Sequence, residues 1–183
     1  MRFVWGILVL IVVLAGVYLW FGASTEAPQT VERETFDSAT YGISFKYPST
    51  YALQEREIGD GHRYHYAITL IDKKALANIP QNGEGPPVIA IDIFQNNLDQ
   101  LSIEEWVRGT SFSNFKLSPD GRIASTSIAS VPALLYAWDG LYLGESMVFS
   151  HRDNIVMLSV TSLAREDKIR EDYFNLRRTV SLF

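Results

Sequence analysis

Cysteine is absent from all 183 residues, so the chain forms no disulfide, carries no lipid-modified cysteine behind its first segment and offers no thiolate to a structural zinc. Histidine is scarce, with only His62, His65 and His151. An excess of basic charge is missing too. The formal net charge is −5, and beyond Arg2 the balance is 15 basic against 21 acidic side chains, or −6. Phosphate neutralisation needs a basic face, so this balance argues against nucleic acid as a partner and against adsorption on anionic lipid. No internal repeat and no low-complexity block occurs, and the Gly-x-Ser-x-Gly elbow of one hydrolase class is lacking.

Charge is also missing from residues 3–21, and this absence carries the most information. Those nineteen residues include thirteen Leu, Ile, Val or Phe, each favouring insertion by about 0.3 to 0.6 kcal/mol. As a helix at ~1.5 Å per residue the run would reach about 28 Å, close to the hydrocarbon thickness of a bilayer. Trp5, Tyr18 and Trp20 fall near its ends, where interfacial aromatics belong. Residues 1–23 therefore read as an uncleaved membrane anchor in contact with lipid. Cleavage after Ser24, with Gly22 at minus three, stays open as the route to a secreted domain. Arg2 on one side, against Glu26, Glu32 and Glu34 with Arg33 on the other, places the amino terminus in the cytoplasm and the remainder outside it. No early glutamate marks a pilin-type helix, and the small residues never fall four apart as close helix pairing would require.

Residues 24–35, rich in Ser, Thr, Glu, Ala, Pro and Gln, read as a flexible tether, and residues 36–183 as one α+β domain. In Tyr41-Gly-Ile-Ser-Phe-Lys-Tyr-Pro48, alternation of Ile43, Phe45 and Tyr47 predicts a half-buried strand stopped by proline. Residues 51–58 and 63–72 read as a hairpin around Gly59-Asp60-Gly61, residues 73–79 as a weak short helix or turn, and 80–87 as a loop. Residues 88–94 are apolar on both faces apart from Asp92, the pattern of a central strand. Ser102-Ile-Glu-Glu105 matches a capping box and opens a helix that Gly109 weakens. Four further strands are expected at 123–129, 133–138, 142–150 and 155–162, then an amphipathic closing helix at 165–178. The sum is a mostly antiparallel sheet with packed helices.

Four groups of residues could carry chemistry. Asp60-Gly-His-Arg-Tyr-His65 is the one cluster of potential metal ligands, but on a strand His62 and His65 would point to opposite faces, so a solvated hairpin tip is the simpler reading. Ser150-His151-Arg152-Asp153 holds the letters of a catalytic triad at adjacent positions of a turn, where neighbours point apart. Glu105 is accounted for as a cap and Glu104 as surface, whereas Asp92 sits in an otherwise apolar strand and is the most unusual carboxylate. Tyr64, Tyr66 and Tyr47 form an aromatic face that reads as core before it reads as a ligand platform. No catalytic, cofactor-binding or metal residue is assigned, and no cofactor is implied.

The chain also resembles the PsbP-like family. The resemblance lies in Tyr41-Gly-Ile-Ser-Phe-Lys-Tyr-Pro48, in the Ser102-Ile-Glu-Glu-Trp106 helix opening, in Val131-Pro-Ala133 at the start of a strand, and in the ending Thr179-Val-Ser-Leu-Phe183. Val131 stands where the family often has glycine. The resemblance implies an α/β/α sandwich, a membrane-anchored bacterial setting, and a role in binding or assembly rather than catalysis. It transfers no active site. The expected function is therefore a membrane-anchored extracytoplasmic module that binds an envelope protein or a small ligand, with an envelope hydrolase built on Asp92 or on His62 and His65 as the alternative.

Overall fold

The protein is described here from a computed structural model covering residues 31–59, 64–81 and 83–183. The apolar run at 3–21 lies outside these residues. Among the described residues no helix is long and apolar enough to cross a membrane.

Among the described residues, ten strands form two sheets. The smaller has the order β1-β2-β10, from Arg33–Ser38, Ile43–Pro48 and Ser181–Leu182. The larger has the order β3-β4-β5-β9-β8-β7-β6. Its strands are β3 (Tyr51–Ile58), β4 (His65–Asp72), β5 (Ile89–Gln95), β6 (Ala124–Ile128), β7 (Val131–Asp139), β8 (Leu143–His151) and β9 (Asn154–Ser162). Every pairing is antiparallel. Short α1 (Lys73–Ala77) follows β4, α2 (Ile103–Gly109) and a 3₁₀ turn (Phe115–Leu117) follow β5, and α3 (Lys168–Arg177) follows β9.

Period-two alternation sorts the larger sheet into two cores. On one face Ile68, Leu70, Ile89, Ile91, Ile93, Met147 and Leu158 meet Ile43, Phe45 and Tyr47 of β2 and Tyr173 and Leu176 of α3. On the other, Phe94, Tyr136, Trp138, Val148 and Met157 meet Trp106 and Val107 of α2. The central position expected for the strand around Asp92 is observed, with β5 flanked by β4 and β9. The capping box is present: Ser102 Oγ accepts from the Glu105 N–H at 3.2 Å, and Glu105 Oε2 accepts from the Ser102 N–H at 2.9 Å. These hydrogen bonds hold the Glu105 carboxyl below the usual carboxylate range.

The observed layers differ from the expected sandwich in one respect. One face of the large sheet is covered by a helix together with a second sheet, because β1 and β10 enclose β2. β1 begins at Arg33, inside the segment read as tether and ahead of residue 36, where the domain was expected to begin. Its register with β2 buries Phe36 alone, while five neighbours stay exposed or half-exposed, so its sequence looks polar although its backbone is paired. The closing helix is shorter at its start than 165–178. Asp167 Oδ2 accepts from the N–H groups of Leu163 and Ala164 at 2.8 and 2.9 Å, which turns the chain before α3.

One buried carboxylate locks α3 to the sheet. Asp172, 7% exposed, accepts a hydrogen bond from the Tyr51 hydroxyl at 3.0 Å and ion-pairs with Lys168 at 2.7 Å. Burial first, and the Asp172 charge second, push the Tyr51 phenol upward so that it remains a donor. Asp172→Ala strands that buried hydroxyl and should cost about 2–3 kcal/mol. Urea unfolding measures this directly, and Lys168→Ala, which removes a mostly exposed partner, should cost well under half as much.

Candidate functional site

The antiparallel register of β4 and β5 sets Ala67 opposite Asp92 and His65 opposite Phe94. His65, Asp92 and Phe94 thus share the α2 face, with His65 and Asp92 on the diagonal that cross-strand side chains can span. His65 Nε2 lies 2.7 Å from Asp92 Oδ1, and the two side chains are 12% and 15% exposed. A carboxylate only accepts, so the imidazole carries its proton on Nε2 in this pairing. The other nitrogen, Nδ1, is buried without a partner.

Aromatic rings close over the pair. The His65 ring stacks on Phe94 at 4.1 Å and 21°, Phe94 leans on Trp106 at 4.9 Å, and Phe112 contacts both Phe94 and His65 at 5.2 and 6.0 Å. Phe112 is nevertheless 55% exposed. The turn carrying it is pinned from below. Fully buried Ser113 donates to the carbonyls of Val107 and Thr110, and the Tyr136 hydroxyl donates to the Ser113 carbonyl at 2.7 Å. An exposed ring thus stands on a braced turn next to a mostly buried His–Asp pair. Among the described residues no hydroxyl hydrogen-bonds to His65, whose Nδ1 is buried.

The other sequence candidates disperse. His62 lies outside the described residues, and among them no three His, Asp or Glu side chains converge as metal ligands. Ser150, His151 and Asp153 make no hydrogen bond with one another. Arg152 instead turns with φ 52°, and its guanidinium donates to the carbonyls of Ala39, Thr40 and Phe183 at 3.3, 3.0 and 2.7 Å. Glu104 pairs with Arg108 at 2.9 Å on the helix surface. Of the tyrosine face, Tyr47 is core, and its hydroxyl donates to Glu34 at 2.8 Å. Burial first, and Glu34 second, push that phenol up to about 12. Tyr66 packs at the core's margin, stacked on Tyr41 at 4.7 Å, while the Tyr64 and Tyr41 hydroxyls share a hydrogen bond at 2.8 Å.

Sequence reasoning singled out Asp92 and His65 separately and did not join them, because the link depends on register. It missed Phe112, whose signal is a large aromatic in the polar run Thr110-Ser-Phe-Ser-Asn114.

Compared with known proteins, the chain matches no protein-family model and no curated protein. Among solved structures it is similar to cyanobacterial PsbP (CyanoP) from Synechocystis sp. PCC 6803, with TM-score 0.55, 9% sequence identity, and coverage of 88% of this chain and 98% of that one. The chain has a PsbP-like fold. A crystal structure from Bacteroides thetaiotaomicron is also similar, at TM-score 0.49 and 12% identity, covering 82% of this chain and 48% of that one. The four segments that carry the sequence resemblance are part of this fold. They occupy β2, the start of α2, the start of β7 and β10, which frame the two cores.

Proposed function

We propose that this chain is a single-pass membrane protein whose PsbP-like domain stands outside the cytoplasm and acts by binding another envelope protein. The observation that carries the binding role is Phe112, a large ring held half in solvent on a turn braced by Ser113 and Tyr136. Uncharged residues 3–21 support the tethered setting. A contact surface with a rigid aromatic anchor needs little side-chain ordering on association, and aromatic anchors dominate interface energies. Carbonate extraction and protease access test the placement: the full-length chain should stay with the membrane pellet and be digested only from the non-cytoplasmic side.

The alternative, an envelope hydrolase, is favoured by one observation, the 2.7 Å His65–Asp92 hydrogen bond. Activity profiling of Asp92→Asn and His65→Ala against the wild type separates the two readings. Binding alone predicts no hydrolytic signal in any of the three. A signal lost in both variants establishes the hydrolase.

A further inference from the structure

On the opposite face of the large sheet, the β6–β7 turn and the carboxyl-terminal end of α3 enclose a groove of about 260 Å³. Its apolar wall consists of Ile128, Met147 and Val180, which are 5%, 1% and 9% exposed. Phe174, Arg177 and Arg178 form the other wall, and Ser127 and Ala129 the rim. The volume holds about nine water-sized groups, enough for a ring or short chain bearing one polar head.

Charge in this corner runs against the sign of the whole chain. Glu145 is shared by Arg170 at 3.1 Å and Arg177 at 2.9 Å, while Arg178 has no carboxylate partner among the described residues. Three cations thus meet one anion, an excess of two charges, which the partial charge of about −0.5 at a helix carboxyl terminus reduces without reversing. The Arg178 guanidinium lies 4.2 Å over the Phe174 ring, so it rests on an apolar plate at the mouth of the groove. The Nε–H of Arg177 is buried and has no acceptor. The turn that forms the rim holds Ala129 and Ser130 at φ 46° and 67°, left-handed values that alanine and serine rarely adopt, so the rim is shaped at a conformational cost.

We propose that this groove is a binding site for a small carboxylate with an apolar body: the body lies against Ile128, Met147 and Val180, and the carboxylate pairs with Arg178 beside Arg177. An anionic head satisfies the unpaired guanidinium, and a compact body displaces water from an apolar wall. The site is on the other side of the sheet from Phe112 and stands independently of the proposed partner contact.

The two internal methionines provide the readout. Met147 lines the groove, whereas Met157, paired with Val148 across β8 and β9, packs in the opposite core. The full-length chain, labelled with ¹³C at the methionine methyls and held in phosphatidylcholine nanodiscs, is titrated with benzoate and, separately, with benzyl alcohol. Benzoate should shift the Met147 methyl saturably and leave Met157 in place, and benzyl alcohol should bind at least tenfold more weakly. Arg178→Gln should weaken benzoate by a similar factor. The Arg178 side chain is exposed and makes no hydrogen bond, and its backbone N–H bond to the Leu176 carbonyl is independent of the side chain, so the variant keeps its fold, with the unchanged Met157 resonance as control. Equal shifts at both methionines, equal binding of benzyl alcohol, an unaffected Arg178→Gln variant, or no saturable shift at Met147 would each overturn the assignment.

Discussion

Gly144→Ala should destabilise the domain by about 2 kcal/mol or more and lower Tm by roughly 4–8 °C, although it adds a single methyl group. Gly144 lies directly opposite Trp138 in the β7–β8 pair, and the indole folds flat across it. A Cβ at 144 would fall within the van der Waals envelope of Trp138 Cε2, Cδ2 and Cζ2. The ring has nowhere to retreat. Its Nε1–H donates to fully buried Ser146 at 2.9 Å, and the residue is 8% exposed within the second core. Either the hydrogen bond or the packing must yield. Gly109→Ala, at the last position of α2 where an added Cβ meets nothing within 4 Å, is the control. It should be neutral or gain a few tenths of a kcal/mol, since alanine orders more cheaply in a helix than glycine. Parallel thermal melts distinguish the two, and similar midpoints would remove the indole from the argument.

Gly42→Ala should be comparably damaging at the other end of the molecule. Gly42 has φ 63°, and a Cβ there would collide with the Phe183 carbonyl oxygen and the Arg152 guanidinium. It would pry apart the place where the β8–β9 turn grips both the β1–β2 turn and the carboxyl-terminal segment. The loss of the Arg152 hydrogen bonds and of the β10 pairing should together cost about 2–4 kcal/mol. The same junction confers a pH dependence. Burial first, then the neighbouring Arg152 charge, hold His151 below its ordinary 6.5, with backbone groups of Gly42 and Phe183 opposing the shift. A histidine whose folded value is depressed takes up its proton more readily when unfolded, so stability is full above about pH 6.5 and declines as pH falls toward the folded value. Urea midpoints for the wild type should drop across that window, and His151→Gln should flatten the profile. A midpoint that rises on acidification contradicts the assignment to His151.

These sites show what a linear reading can reach. Alternation in β2, the capping box at Ser102 and the apolar run around Asp92 are local patterns, and the elements they imply are present. β1 and β10 were not legible, because β1 is polar apart from Phe36, β10 has only two residues, and the pairing of both depends on β2 lying between them. The β6–β7 turn was hidden for another reason. It uses Ala129 and Ser130 where glycine or asparagine would announce a tight hairpin. Of the candidate site, the residue types stood out in the sequence but the relationships did not. Asp92 was conspicuous as a charge within a greasy strand, yet only the pairing of Ala67 with Asp92 brings His65 to it. Arg152 was read as part of a turn and proves to be its clasp, since carbonyl acceptors from residues over 100 positions away cannot be foreseen from spacing.

The central proposal is that the domain, held at a membrane, engages a protein partner through the braced Phe112 turn, and site-specific photo-crosslinking tests it most directly. A benzoylphenylalanine placed at position 112 of the full-length chain and irradiated in intact membranes should yield one discrete adduct with another protein, absent when the probe is at position 163, where Leu163 is 72% exposed. No adduct from position 112, or the same adducts from both positions, would contradict it.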